Sequence, residues 1–225
     1  MIENVTNRDQ KDRQRAKRMG VAPSASLRSH FMSLARQVRR WSETKTEIVD
    51  RPVTIGITSL NSGAGKSTVS YNLSAAVCSI GRTATLLVES DFGSHYITRR
   101  LGQARSAGLS EMLIGISEVE DVVHETPITD LHVLGSGRKS DQEALELPFD
   151  LLPKLFSTQF ADYGYLIFNL PMASHLTACD AITPFLDGVI LTVEANQIDH
   201  RLINRFRKNA ESFGVEIVGL VINKS

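Results

Sequence analysis

The chain has 225 residues, 42% of them hydrophobic and 22% charged, which suits one globular domain with an appendage and leaves ample core. The 25 basic residues balance 25 acidic ones, yet residues 1–50 hold eleven Lys/Arg against six Asp/Glu, so the remainder is acidic by about five charges. No apolar run approaches the ~20 residues of a membrane span, the start lacks the succession of a signal peptide, and two cysteines, Cys78 and Cys179, exclude a disulfide framework or a four-thiolate zinc site. A reduced, cytoplasmic setting is the expectation.

Residues 1–24 are polar and heavily charged, and read as a disordered basic tail. Ser24 then precedes an amphipathic helix and linker over 25–50. Leu27, Phe31, Leu34, Val38 and Trp41 recur at spacings of four and three and make one apolar stripe, with Arg28, Arg36, Arg39 and Arg40 facing elsewhere. Three readings of the stripe stand side by side: packing on its own domain, docking to a neighbouring subunit, or peripheral contact with an anionic membrane. Over 51–225 the pattern changes to short β-branched runs at 53–60, 84–90, 131–134, 165–169, 189–195 and 216–223, separated by helical stretches near 66–80, 109–124, 141–160, 177–186 and 199–213. Such alternation predicts an α/β fold, a mostly parallel central sheet flanked by helices, with functional residues just past the carboxyl ends of the strands.

The first strand runs into Asn61-Ser62-Gly63-Ala64-Gly65-Lys66-Ser67-Thr68, and a helix follows. Gly63 and Gly65 let backbone N–H groups turn inward around phosphates, while the new helix aims its positive end at the same charge. Lys66 is placed to reach the β- and γ-phosphates, Ser67 to ligate Mg²⁺, and Thr68 to bond an α-phosphate oxygen. The first glycine of the common GxxxxGK[ST] pattern is replaced by Leu60, but the GxGK[ST] core and its strand–loop–helix context are intact.

Phosphoryl transfer also needs acidic groups on neighbouring strand ends. The second strand ends in Glu89-Ser90-Asp91, whose two carboxylates, two residues apart, are expected to face the phosphate loop together. The strand 165–168 ends in Asn169, an amide that can accept a bond from a metal-bound water but lacks negative charge. The histidines show no metal-ligand spacing, although His95, in the loop after Asp91, could approach the site; Cys78 reads as a buried, inert thiol.

In this order, Val53–Asn72, Leu86–Gly102, Gly108–Leu113, Leu131–Gly137, Tyr163–Pro171 and Asp187–Lys224 resemble the cytoplasmic domain of bacterial tyrosine kinases, the BY-kinases of capsule and exopolysaccharide synthesis. These belong to the larger MinD/ParA group of P-loop ATPases. The resemblance implies ATP and Mg²⁺ as cofactors. Gly63, Ala64, Gly65, Lys66, Ser67 and Thr68 would bind the phosphates, and Ser67, Asp91 and Asn169 would serve the metal. Lys66, Glu89 and Asp91 would be catalytic, with Glu89 orienting or deprotonating the nucleophile. Asn223 matches an Asn that lies near the adenine in related ATPases. A membrane-embedded polysaccharide chain-length or export protein is the implied partner, and homo-oligomers are a further expectation.

Several positions depart from the family pattern. Asn61 stands where the MinD/ParA branch has a signature lysine, Glu89 replaces the first aspartate of the Walker A′ motif, and Asn169 replaces that of Walker B. The basic residue that often follows the second aspartate is missing, since Asp91 leads into Phe92-Gly93-Ser94. The tyrosines are Tyr71, Tyr96, Tyr163 and Tyr165, with no carboxyl-terminal cluster, and the helix at 25–41 has no clear Glu-x-x-Arg-x-x-Arg pattern. A nucleotide-dependent switch with slow or no hydrolysis, and a MinD/ParA-like positioning ATPase, are therefore rival readings. Without a reader motif or interleaved aromatics, no sequence-specific nucleic-acid binding is expected.

Overall fold

The computed structural model describes residues 25–45, 47–48, 50–81, 83–102, 106–173 and 178–223. The predicted tail at 1–24 and His175 lie outside them. Seven strands form one sheet: β1 (Val53–Ser59), β2 (Thr85–Glu89), β3 (Val123–Glu125), β4 (Leu131–Leu134), β5 (Tyr165–Asn169), β6 (Gly188–Glu194) and β7 (Glu216–Asn223). Their spatial order is β3-β4-β2-β5-β1-β6-β7, parallel throughout except for β3, which runs antiparallel to β4. The mostly parallel sheet expected from the alternating pattern is thus present. Strand β1 lies between β5 and β6, with Ile57 opposite Asn169 on one side and Ile190 on the other. The phosphate loop therefore rises between neighbouring strand ends.

Alternation along each strand divides the core into two layers. Leu86, Val88, Leu166, Phe168, Val189 and Leu191 face one layer, while Leu87, Tyr165, Ile167 and Ile190 face the other. The second layer is closed by helices α1 (Ala25–Ser42) and α2 (Lys66–Gly81), which contribute Ala35, Val38, Val69, Leu73 and Val77. Of the predicted stripe on α1, Val38 is fully buried and Phe31, Leu34 and Trp41 are partly buried, while Leu27 is half exposed. Ala35, small enough to bring α1 close to α2, joins the seam although the stripe did not include it. Arg28, Arg36, Arg39 and Arg40 are exposed. Trp41 covers Gly188, where a methyl group would meet the indole at 2.8 Å, and Ser42 Oγ lies 2.9 Å from the Tyr165 hydroxyl. The apolar face is thus turned onto the chain's own core, the first of the three readings of the stripe, while its arginines stay on the surface.

Three expected segments differ. The stretch after Asp91, read as a loop, holds the short helix α3 (Tyr96–Arg100). The single helix expected over 109–124 is α4 (Leu109–Leu113) and α5 (Val119–Val122), separated at Gly115 (φ 71°), and β3 follows directly. The helix expected over 141–160 is α6 (Asp141–Ala144), a 3₁₀ turn (Phe149–Leu151) and α7 (Leu152–Thr158). Pro148 divides it, lacking an N–H and biasing Leu147 away from helical geometry. Helices α8 (Ala178–Ile182) and α9 (His200–Ser212) complete the chain, and Asp199 caps α9 by accepting from the N–H groups of Arg201 and Leu202. Among the described residues no helix is long and apolar enough to cross a membrane.

Candidate nucleotide site

Between β1 and α2 the chain makes a turn in which Gly63 and Gly65 have φ of 83° and 81°, values that side chains with a Cβ rarely adopt. A Cβ on Gly63 would meet nothing within 4 Å, so this backbone borders open space. On Gly65 it would lie 2.5 Å from Asn223 Nδ2, which also donates to the Ala64 carbonyl at 3.4 Å. Asn223, expected near an adenine, is thus braced against the phosphate-binding turn itself. The base of the turn is tied to its neighbours: Thr58 Oγ1 donates to the Pro171 carbonyl at 2.6 Å, Thr192 Oγ1 to the Thr58 carbonyl at 2.8 Å, and Ala173 N–H to the Ser59 carbonyl at 2.9 Å. These bonds fix the base of the turn to the neighbouring strand ends.

Lys66 and Asp91, both about seven-eighths buried, form an ion pair across the cleft. The ammonium is therefore already held over the turn. Asn169 lies at the fully buried end of β5, where its amide donates to Ser67 Oγ at 3.2 Å and accepts from Ser70 Oγ at 3.1 Å. Ser67, Asp91 and Asn169 thus converge on the start of α2.

Glu89 does not join them. Spacing of two put it on the same side as Asp91, but its carboxylate turns to the first residues of α3. It accepts from Ile97 N–H at 2.8 Å, Thr98 N–H at 3.0 Å and Thr98 Oγ1 at 2.5 Å, and is fully buried. The expected orientation toward the phosphate loop is corrected. The physical reason is that α3 begins at His95 (φ 46°) with no side-chain cap of its own, and the extra methylene of Glu reaches its unpaired N–H groups. Burial pushes the Glu89 carboxyl above its ordinary range against the pull of these donors. His95 reaches Ser136 Oγ with Nδ1 at 2.7 Å and so ties this loop to the segment after β4.

Asp141, at the start of α6, was not legible as a site residue. It packs against Gly93, where a methyl group would meet its carboxylate and oblige it to move. Burial, and then the nearby Asp91 charge, raise its pKa. A cleft of about 220 Å³ opens beside Ser67 and Thr68, walled also by Tyr71, Tyr96 and Arg100, and Asn72 leaves its buried side-chain oxygen there without a partner. Cys78 is buried, and burial lifts its thiol to about 11, far from a reactive thiolate.

No family model matches the chain. Individual relatives do. Tyrosine-protein kinase CpsD of Streptococcus agalactiae is 25% identical over 171 residues, 76% of this chain and 74% of that protein. The homologous CpsD of Streptococcus pneumoniae serotype 4 is 27% identical over 78% of this chain and 77% of its own length. The succinoglycan biosynthesis transport protein ExoP of Rhizobium meliloti is 25% identical over 76% of this chain but only 22% of its own length. Among solved structures, the chimerical protein CapA2B2 superposes with a TM-score of 0.74 at 24% identity, over 87% of this chain and 83% of that one. The kinase domain of Escherichia coli tyrosine kinase ETK gives 0.72 at 19% identity, over 86% and 75%. MinD from Pyrococcus horikoshii, complexed with Mg-ADP, gives 0.62 at 23%, over 76% and 70%. Over about three quarters of its length the chain is thus similar to bacterial tyrosine-protein kinases of the CpsD kind, and its fold is the one shared by the BY-kinase domains and MinD.

Proposed function

We propose that the chain binds ATP with Mg²⁺ and acts, as a cytoplasmic BY-kinase-type protein, in the synthesis or export of exopolysaccharide or capsule. The observation that carries this reading is the two-glycine turn at the start of α2 with Lys66 poised above it by Asp91. The residues present suit the group. Ser67, Asp91 and Asn169 offer oxygen ligands near the start of α2, the kind a hard divalent ion takes beside phosphate oxygens and water. Bound Mg²⁺ would neutralise phosphate charge during transfer of the γ-phosphoryl group.

Ser67 would supply its hydroxyl to the metal, with Asn169 fixing that side chain. Lys66 would exchange Asp91 for phosphate oxygens on nucleotide binding and stabilise the charge that builds in transfer. Asp91, so released, would stand beside the metal. Attack on the γ-phosphorus comes from a protein hydroxyl or water. A membrane-embedded polysaccharide chain-length or export protein is the expected partner, since ExoP combines a segment similar to this chain with a much longer remainder. Purified protein with radiolabelled ATP tests the reading: phosphate transferred to protein or released, and lost in Lys66→Ala, is the expected result, and absence of nucleotide binding overturns it.

The amide of Asn169 and the engaged carboxylate of Glu89 favour a second reading, a nucleotide-dependent switch that turns over slowly or not at all. It predicts tight ADP and ATP binding with no product. The MinD/ParA-like positioning reading is weakened at Asn61, whose side chain donates to Gln197 of its own chain at 3.3–3.4 Å in place of a signature lysine.

A further inference from the structure

The site lacks two carboxylates on its strand ends. Asn169 carries no charge, and Glu89 gives both its oxygens to α3. Asp91 remains, already paired with Lys66. One more carboxylate reaches the same place from an unrelated element, the segment between β4 and α6. The Asp141 carboxylate lies against Gly93, two residues beyond Asp91, where the Asp91, His95 and Lys66 charges act on it.

Helix formation does not account for this placement. α6 is capped without it: Ser140 Oγ accepts from Glu143 N–H at 3.5 Å, and the Glu143 carboxylate returns to Ser140 N–H at 2.9 Å. Asp141 instead puts a second negative charge beside Asp91, with one lysine for the two. Like charges so arranged repel, and the repulsion is relieved by a divalent cation.

We propose that Asp141 is the second carboxylate of the Mg²⁺·nucleotide site, supplying the charge that Asn169 lacks and accepting hydrogen bonds from the metal's water shell. The proposal rests on the nucleotide reading above and assigns the role to this chain's own residue.

Calorimetry of ADP binding to the full chain, with and without Mg²⁺, tests it. In Asp141→Asn the gain in ADP affinity brought by Mg²⁺ falls about tenfold, while metal-free ADP binds as well or better, because a negative charge near the phosphates is gone. Asp141→Glu restores most of the Mg²⁺ dependence. Glu143→Gln, which weakens the α6 cap and removes no charge from the site, leaves that dependence as in the unmodified chain. An unmodified chain that binds Mg²⁺·ADP while Asp141→Asn shows the same Mg²⁺ dependence overturns the proposal and spares the nucleotide reading. Equal losses in Asp141→Asn and Glu143→Gln make Asp141 structural and also overturn it. A chain that binds no ADP under either condition overturns both.

Discussion

Glu89 and Asp91 leave the same strand end two residues apart and finish in opposite environments. Glu89 is fully enclosed and holds three donors of α3. Asp91 keeps an opening to solvent and pairs with the phosphate-loop lysine. Spacing on an extended segment puts side chains on one side of the backbone, but the nearest unsatisfied donors decide where a flexible carboxylate points. One residue fixes the loop and the other holds Lys66.

The largest effect that can break this contrast is Glu89→Ala. Losing the carboxyl acceptor and leaving two buried N–H groups unpaired should cost about 3 kcal/mol in urea unfolding. ADP affinity should survive far better than in Lys66→Ala; an equal collapse of binding would erase the distinction between anchor and site. Glu89→Gln sharpens it through pH. Because burial raises the Glu89 pKa, the folded state holds that proton more tightly than the unfolded chain does. The resulting stability is full below the ordinary value of 4.5 and is lost as pH rises through the raised one. Unfolding free energies at pH 5 and pH 8 should fall more with pH in the unmodified chain than in Glu89→Gln.

Asn169→Asp tests the neighbouring strand end. A carboxylate beside Ser67 should strengthen Mg²⁺-dependent ADP binding about tenfold, roughly 1.4 kcal/mol, measured by calorimetry. The smallest effect belongs to an ion pair far from the cleft. Lys45 and Glu216 meet at 2.5 Å, but half of the Glu216 side chain is exposed. Lys45→Ala should lower stability by less than about 1 kcal/mol, and less still in high salt. A larger loss would mean that exposed pairs, and not only enclosed carboxylates, anchor this fold.

The phosphate-binding turn was legible because its information is local: two glycines, a lysine and a hydroxyl on consecutive residues between a β-branched run and a helix. The strand ends were legible as positions, since buried parallel strands read as apolar runs. The direction of Glu89 was not, because its partners sit on α3, a five-residue helix whose start at His95 carries no capping side chain and therefore no signature. Asp141 was hidden for a related reason. Its neighbours Gly93 and Asp91 lie about 50 residues earlier in the chain, and the pairing of β2 with β4 brings the two segments together. The breaks at Gly115 and Pro148 show residues whose local meaning was available and was overridden by the apolar period around them.

Helix α1 lies only one helix away from the glycine turn. Ala35 and Val38 share a solid interior with Val69 and Leu73 of α2, and α2 begins at Lys66. Material packed in this way does not compress, so displacement of one helix is passed to the other. Any displacement of α1 would therefore load the first turn of α2 directly, at the residue that pairs with Asp91.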